Sequence, residues 1–204
     1  MPLKFATNQS LTSVTALPSS VPTDNLILIS TQTASNSATI SFTSGLDSTY
    51  DEYIFKIINV HPSSDGVAMV FQGSTNGGSS YGVTITSTVF RAYHDEADST
   101  TALAYDGNGD LAQGTGFQEI INAGTGSDND QASCAYLQLF NPSSTTYVKH
   151  FLATSSGISG GDFMIASYTG GYFNTTSAIN AIQFKFTGGN IDDGTIKLYG
   201  VKKS

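Results

Sequence analysis

Short runs of alternating apolar and polar residues, separated by clusters of Gly, Ser, Asn and Asp, make up the chain from residue 26 onward. Ala38-Thr-Ile-Ser-Phe42 and Ile182-Gln-Phe-Lys-Phe186 alternate with period two, which is typical of strands with one buried face. In Thr195-Ile-Lys-Leu-Tyr199 the same alternation predicts that the two aliphatic side chains lie inside. No segment carries the apolar stripe of an amphipathic helix.

About ten or eleven strands are predicted, and their short, regular spacing indicates a sandwich or a barrel. We expect an all-β fold, a single antiparallel β-sandwich of jelly-roll type over residues 26–204. The predicted strands are Leu26–Ile29, Ala38–Phe42, Tyr53–Val60, Val67–Gln72, Tyr81–Tyr93, Phe117–Ile121, Ala132–Phe140, Thr146–Ala153, Phe163–Tyr168, Ala178–Phe186 and Thr195–Val201.

One predicted strand, residues 53–60, is apolar on both faces, which predicts a place in the middle of the sandwich or in a subunit contact. Because side chains alternate along a strand, one face carries Tyr53, Phe55 and Ile57. The opposite face carries Ile54, Ile58 and Val60.

Three turn regions predict long hairpins. Residues 53–64 lead through a Pro-Ser-Ser turn into 67–71, and residues 136–144 lead through another into 147–151. The similarity of the two segments indicates either a pseudo-repeat or, as we favour, two independent uses of the same turn chemistry. Near the C-terminus, Gly188-Gly-Asn and Asp193-Gly194 offer the positive φ angles that a hairpin loop needs.

Residues 1–25 are interpreted as an extended N-terminal arm, because they hold three of the five prolines and apolar residues too sparse for a core. An extended segment needs a partner for its backbone groups, and a neighbouring protein copy is the simplest one. The alternative is a terminus without a partner. The predicted partner contacts are Leu3, Phe5, Leu11, Val14, Leu17 and Val21.

Composition narrows the possible partners. The net charge is −8 and only 8 Lys and Arg are spread along the chain, so a phosphate-binding cluster is lacking and nucleic acid is not expected to bind. The acidity fits docking on a basic patch of another protein. The N-terminus lacks the apolar core of a signal peptide, and no apolar run is long enough to span a membrane. Cys134 lies in a strand-like run and is expected to be a buried, inert thiol.

Candidate chemistry is sparse. No Gly-x-Ser-x-Gly, His-Glu-x-x-His or Walker-type motif is present. His61 precedes a proline and is predicted in a turn, whereas His150 is predicted in a strand, and neither has a carboxylate nearby in the sequence. We expect no catalytic residue and no cofactor.

Two acidic stretches could bind a divalent ion. Asp106, Asn108 and Asp110 place oxygens at alternate positions, but Leu111 and Phe117 occupy positions where a calcium loop needs Gly and Glu. A plain turn is the favoured interpretation. His94 and Asp95 open a second acidic stretch, which we interpret as a solvated loop; an ion site or a subunit contact is the alternative.

Aromatic residues form the remaining candidate. The chain has 10 Tyr, 12 Phe and no Trp. The segments 90–93 and 168–173 place several rings near Gly-rich turns, where exposed Tyr could contact proteins or sugars. The lack of Trp lowers the expectation of sugar binding, and most rings are expected to fill the core.

The C-terminal segment Tyr172–Val201 contains the pattern Ile-x-Phe-x-x-x-x-Gly-Asn-Ile-x-x-Gly-x-Ile-x-Leu-Tyr-Gly. It resembles a recurrent segment of structural proteins of marine tailed phages, cyanophages especially. Ser48–Ser64 and Leu139–Phe151 resemble the same family, so the resemblance covers most of residues 26–201. It implies a virion component assembled in the host cytoplasm and carries over no catalytic residue.

Two functions follow as hypotheses. In the first, the chain is a non-enzymatic head decoration or cement protein, a trimer that binds the capsid through its arm and the edge of its sandwich. In the second, it is a short tail-fibre or appendage adhesin that contacts host surface glycans. A glycan-degrading enzyme is not expected, because the chain lacks the paired carboxylates that such chemistry needs.

Overall fold

The structure is a computed structural model that describes residues 25–203, without the side chains of residues 122 and 123. These residues form twelve β-strands and no helix. The strands are β1 (Leu26–Thr33), β2 (Ile40–Phe42), β3 (Glu52–Pro62), β4 (Val67–Ser74), β5 (Ile85–Asp95), β6 (Thr101–Tyr105), β7 (Gln118–Thr125), β8 (Ser133–Phe140), β9 (Lys149–Ile158), β10 (Phe163–Phe173), β11 (Ala181–Phe186) and β12 (Ile191–Val201).

Two antiparallel sheets pack on each other, so the predicted all-β sandwich is confirmed. One sheet has eight strands in the order β1-β12-β3-β8-β9-β10-β5-β6, and the other has four in the order β2-β11-β4-β7. The groups β1-β12-β3-β8 and β2-β11-β4-β7 have the strand order of an eight-stranded jelly roll. The other four strands are additions. The arm predicted for residues 1–25, with its six apolar contact residues, lies outside the described residues apart from Asn25.

The core between the sheets is rich in phenylalanine. Phe184 of β11 lies 5.2 Å from Phe55 of β3 and 6.2 Å from Phe42 of β2, measured between ring centroids. Phe71 of β4 lies 5.1 Å from Phe151 of β9 in an edge-to-face arrangement. Edge-to-face pairs are favourable beyond the area that they bury. These rings therefore join strands of both sheets.

Each of the eleven predicted strands overlaps a strand of the structure, and β6 is the one that the pattern missed. Its sequence, Thr-Ala-Leu-Ala-Tyr, is short, and its two large apolar side chains, Leu103 and Tyr105, both point outward. The positions on the other face of the strand hold alanine, so the alternation of large apolar and polar residues is missing.

The hairpins were predicted correctly in one case of three. Strands β8 and β9 do form a hairpin, with Leu139 opposite Phe151. Strands β3 and β4 do not pair, because the Ser63–Gly66 connection crosses to the other sheet. Likewise β11 and β12 belong to different sheets. The two crossing loops bind each other, since the N–H of Ser63 donates to the carbonyl of Asn190 at 3.0 Å.

Strand β3 departs from strict alternation at one position. Tyr53, Phe55 and Ile57 are buried as predicted, but Val60 is buried too, although period two placed it on the opposite face. The pairing of β3 with β8 shifts register between Ile57 and Val60, and Asn59 between them has a φ of 49°. This bulge turns Val60 back towards the core.

Candidate functional site

Two hairpins extend the jelly roll, and we call the four strands β9, β10, β5 and β6 the extension. Hairpin β5–β6 lies between the jelly-roll strands β4 and β7 in sequence, and β9–β10 lies between β8 and β11. The two hairpins join because β10 pairs with β5 along its whole length, from Phe163 opposite Asp95 to Phe173 opposite Ile85. The extension therefore widens one sheet without belonging to the basic fold, and such additions are where function is commonly placed.

The outer side of the extension carries exposed aromatic rings in one row. Tyr168 of β10 lies opposite Phe90 of β5, and Phe90 lies opposite Tyr105 of β6. The rings of Phe90 and Tyr168 are stacked, with centroids 5.0 Å apart and planes 11° apart. Their exposed fractions are 45% and 44%, and that of Tyr105 is 61%. Rings at this exposure are available to a partner.

Aliphatic side chains flank the aromatic row on both sides. Leu103 is 73% exposed, Leu152 50% and Met164 47%. Together with Ala92 and Ala166, Leu103 and Met164 line a shallow depression of about 450 Å³. We call the outer surface formed by Phe90, Leu103, Tyr105, Leu152, Met164 and Tyr168 the extension face.

Strand alternation explains why these side chains point away from the core between the sheets. In β5, the residues on either side of Phe90 point inward: Val89 is buried, and Arg91 lies 3.6 Å from the carboxylate of Asp106. Tyr93 packs against Phe163 with centroids 5.8 Å apart. Because successive residues point to opposite faces, Phe90 can only point outward.

The row continues across the jelly roll and ends in two lysines. From Tyr168 it passes through Thr154 and Tyr136 to Lys56 and then to Lys197, each opposite the next. The Nζ atom of Lys56 lies 5.6 Å from the ring centroid of Tyr136 and 5.1 Å from that of Tyr199. Neither lysine forms an ion pair with a carboxylate of the described residues. This part of the surface is therefore positive on an otherwise acidic protein.

Phe90 and Tyr168 lie within strands, as the predicted strands 81–93 and 163–168 placed them. The Gly-rich turn expected beside Tyr168 is not formed, because β10 continues through Gly170 and Gly171 to Phe173. The prediction for Cys134 was also wrong, because its side chain is exposed. Its sulfur accepts a hydrogen bond from the N–H of Asn59 at 3.3 Å. Sequence alternation alone could not tell which face of β8 is outside.

His61 was expected in a turn and instead lies in β3. Its Nδ1 atom is 3.7 Å from a carboxylate oxygen of Asp192, and its Nε2 atom is 3.2 Å from the carbonyl oxygen of Asp128. Both partners are distant in sequence. Asp192 meets His61 because β3 pairs with β12, and Asp128 lies in the segment before β8, the strand on the other side of β3. The geometry orients the imidazole at one end of the sheet.

The first acidic stretch follows β6 as a turn. Asp106 accepts a hydrogen bond from the N–H of Asn108 at 3.2 Å and faces Arg91. Asp110 accepts a hydrogen bond from the hydroxyl of Tyr105 instead. The two carboxylates therefore have different protein partners.

The second acidic stretch spans the end of β5 and the turn after it. His94 points outward, with its Nε2 atom 3.1 Å from a carboxylate oxygen of Asp98. Asp95 is buried and accepts hydrogen bonds from the N–H groups of Ser99 at 2.9 Å and Thr100 at 2.8 Å, and from the Ser99 hydroxyl. In the described part of the chain, no three His, Cys, Asp or Glu side chains are grouped so that they could hold a metal ion.

The turn between β5 and β6 is expected to respond to pH through Asp95. The hydrogen bonds from the Ser99 hydroxyl and from the N–H of Thr100 lower the pKa of Asp95 to about 2. The carboxylate therefore stabilises the turn fully above the unfolded pKa of about 4, and the stabilisation is lost as the pH falls towards 2. The protection of the Ser99 and Thr100 amides against hydrogen exchange, taken relative to the intrinsic exchange rate at each pH, should fall over that range. In Asp95→Asn these amides should be weakly protected already at pH 6, and their protection should change little as the pH falls. A loss of protection at acid pH as large as in the wild type would contradict the assignment.

Comparisons with known proteins add no relative. No family model, curated protein or solved structure matches the chain. Among residues 25–203, no helix is long and apolar enough to cross a membrane.

Proposed function

We propose that this chain is a non-enzymatic structural protein of a tailed-phage particle that decorates the head by binding the capsid surface. The observation that carries the proposal is the extension face, where six large apolar side chains are exposed together on strands added to a jelly roll. Contiguous apolar surface of this kind typically marks an interaction site on a soluble protein. The resemblance of residues 172–201 to phage structural proteins supplies the kind of particle.

The character of the surface supports a protein partner. Tyr, Phe and Met are enriched in protein interfaces, and charged groups are depleted at their centres. The extension face has this composition, with the charged pair Lys56 and Lys197 at one side. The row of side chains crosses most of an eight-stranded sheet, about 30 Å at the usual strand spacing. That width suits a protein interface better than a single sugar. The arm, residues 1–25, is proposed to add a second contact.

Binding to capsids that lack this protein tests the proposal. Tyr168→Ser should lower the apparent affinity about tenfold or more, because a central exposed tyrosine is a common binding hot spot. Tyr147→Ser is the matched control: Tyr147 is 71% exposed but lies in the loop before β9, so its loss should change little. A chain lacking residues 1–24 measures the contribution of the arm separately. Full binding by Tyr168→Ser and Leu103→Asp would overturn the proposed role of the extension face.

The alternative is an adhesin of the tail or of an appendage. Lys56, which lies between two tyrosines, favours it, because aromatic and cationic groups together suit acidic glycans. The isolated chain would then bind host polysaccharide, and Lys56→Ala would weaken that binding. Binding to bare capsids without binding to host cells or their polysaccharide would exclude the alternative.

A further inference from the structure

The two sheets have four edge strands, and three of them carry a feature that hinders pairing with another chain. The pairing of β1 is interrupted by a bulge between Leu28 and Ser30. Strand β2 has only three residues. Strand β7 shifts register twice against β4 and contains Glu119. Bulges, short length and charge are the usual ways in which sheet edges are protected from pairing.

The fourth edge, β6, has none of these features. Its five residues pair with β5 in unbroken register, from His94 opposite Thr101 to Phe90 opposite Tyr105. The strand contains no charged residue, no proline and no bulge. No described strand pairs with its other side. The free backbone groups of β6 are therefore an open template for another strand.

The side chains of β6 also suit a partner strand. Leu103, at the centre of the strand, is 73% exposed, and its neighbours Ala102 and Ala104 are small. The apolar surface of the extension face runs without interruption to this edge, because Tyr105 and Leu103 lie beside Phe90 and Ala92 of β5. A strand added here would satisfy backbone groups and cover apolar side chains at the same time.

We infer that β6 pairs with β6 of a second copy of this chain, antiparallel and about a two-fold axis. An edge strand that is uncharged and symmetric in its apolar pattern is complementary to itself, which is what a two-fold contact requires. With the axis at the centre of the strand, Leu103 lies opposite Leu103 of the second copy, and Tyr105 lies opposite Thr101. The two eight-stranded sheets then become one continuous sheet, and the extension faces of both copies join on its outer side.

The charges near β6 give the association a characteristic salt dependence. Asp98 precedes the strand in the β5–β6 turn, and Asp110 follows it. In the antiparallel register, the turn of one copy lies beside the segment that follows β6 in the other. These carboxylates repel each other across the contact, and salt screens that repulsion. Dimerisation should therefore strengthen between about 0.05 and 0.5 M NaCl.

Sedimentation of the full chain tests the inference. The wild type should show a reversible monomer–dimer equilibrium with a dissociation constant below about 100 µM. Leu103→Lys should weaken dimerisation at least tenfold, because it places two ammonium groups opposite each other at the axis. Leu28→Lys is the matched control: Leu28 is 52% exposed on β1, the other edge of the same sheet, so its dimerisation should equal that of the wild type. A monomer at all concentrations would overturn the inference, and so would equal weakening by both variants. A mass of three copies, the trimer of the decoration hypothesis, would overturn it as well.

Cross-linking tests the register itself. Residues directly opposite in antiparallel strands have Cα atoms about 4.5–5.5 Å apart, close enough for a disulfide. In a Cys134→Ser background, which removes the exposed native thiol, Leu103→Cys should form a disulfide-linked dimer on mild oxidation. Leu28→Cys in the same background should stay monomeric on a non-reducing gel. Equal cross-linking of both would show random collision instead of strand pairing. These results do not depend on where the protein works.

Discussion

Replacing Phe184 by alanine is expected to destabilise the folded chain by about 3–5 kcal/mol, the cost of truncating a fully buried phenylalanine. Phe184 is completely buried in β11 and contacts rings of both sheets: Phe55 at 5.2 Å, Phe42 at 6.2 Å and Phe71 at 6.4 Å. Its loss leaves a cavity where the two sheets meet, and rings held by strands on both sides cannot all move in to fill it. Chemical denaturation monitored by circular dichroism measures the change.

Phe90→Ala is the matched control, because it removes the same atoms from the extension face. Phe90 is 45% exposed and stacks only on Tyr168 among the rings of the described residues. We expect a loss of about 1 kcal/mol or less. Similar losses for the two variants would mean that the sheets do not pack through Phe184. The pair also separates stability from binding, since Phe90→Ala should weaken capsid binding while leaving the fold intact.

The sequence correctly predicted which side chains of two single strands, β11 and β12, point into the core. Ile182, Phe184 and Phe186 are buried, and Ile196 and Leu198 are buried, as predicted. A strand with one apolar face can be buried in only one way, so the local pattern suffices. The same reasoning predicted an all-β fold, because strands with one apolar face must pack that face against another sheet or close into a barrel.

Sheet membership could not be predicted in the same way. Pro-Ser-Ser turns and Gly-rich loops look alike whether the chain turns back within a sheet or crosses to the other one. The crossing after Pro62 depends on its contact with the loop at Asn190, which is far away in sequence. Val60 illustrates the same limit on a smaller scale, since a bulge at Asn59 reverses the face that period two predicted.

The candidate site was predicted only as a set of residue types. Aromatic residues near positions 90 and 168 stood out, but the row that they form depends on the register of β10 with β5, and of β5 with β6. The strand β6 was missed because the two residues on its other face, Ala102 and Ala104, are alanines and leave no clear alternation. Those small residues are the consequence of its edge position, where little core remains to be filled. The small side chains that hide β6 in the sequence are thus the ones that leave its edge open to the proposed pairing.

Replacing Gly194 by alanine is expected to destabilise the chain by about 3 kcal/mol or more. The backbone angle there is unfavourable for any residue with a side chain, and neighbouring atoms leave no space for a Cβ atom. Gly194 has a φ of 119°, which side chains rarely allow. A Cβ atom there would lie 2.7 Å from the carbonyl oxygen of Asn59 and 2.7 Å from the Cα of Val60. Both are backbone atoms of the neighbouring strand, so the clash can be relieved only by parting β12 from β3 where the bulge forms.

Gly66→Ala separates the two causes. Gly66 has a φ of 68°, but no atom lies within 4 Å of the added Cβ, so only the backbone strain of about 1 kcal/mol remains. Thermal and urea unfolding of both variants measure the difference. If the two alanines cost the same, close approach of β3 and β12 at Gly194 is not what shapes this end of the sheet. If Gly194→Ala costs several times more, the bulge that turns Val60 inward and brings His61 beside Asp192 depends on the absence of this one side chain.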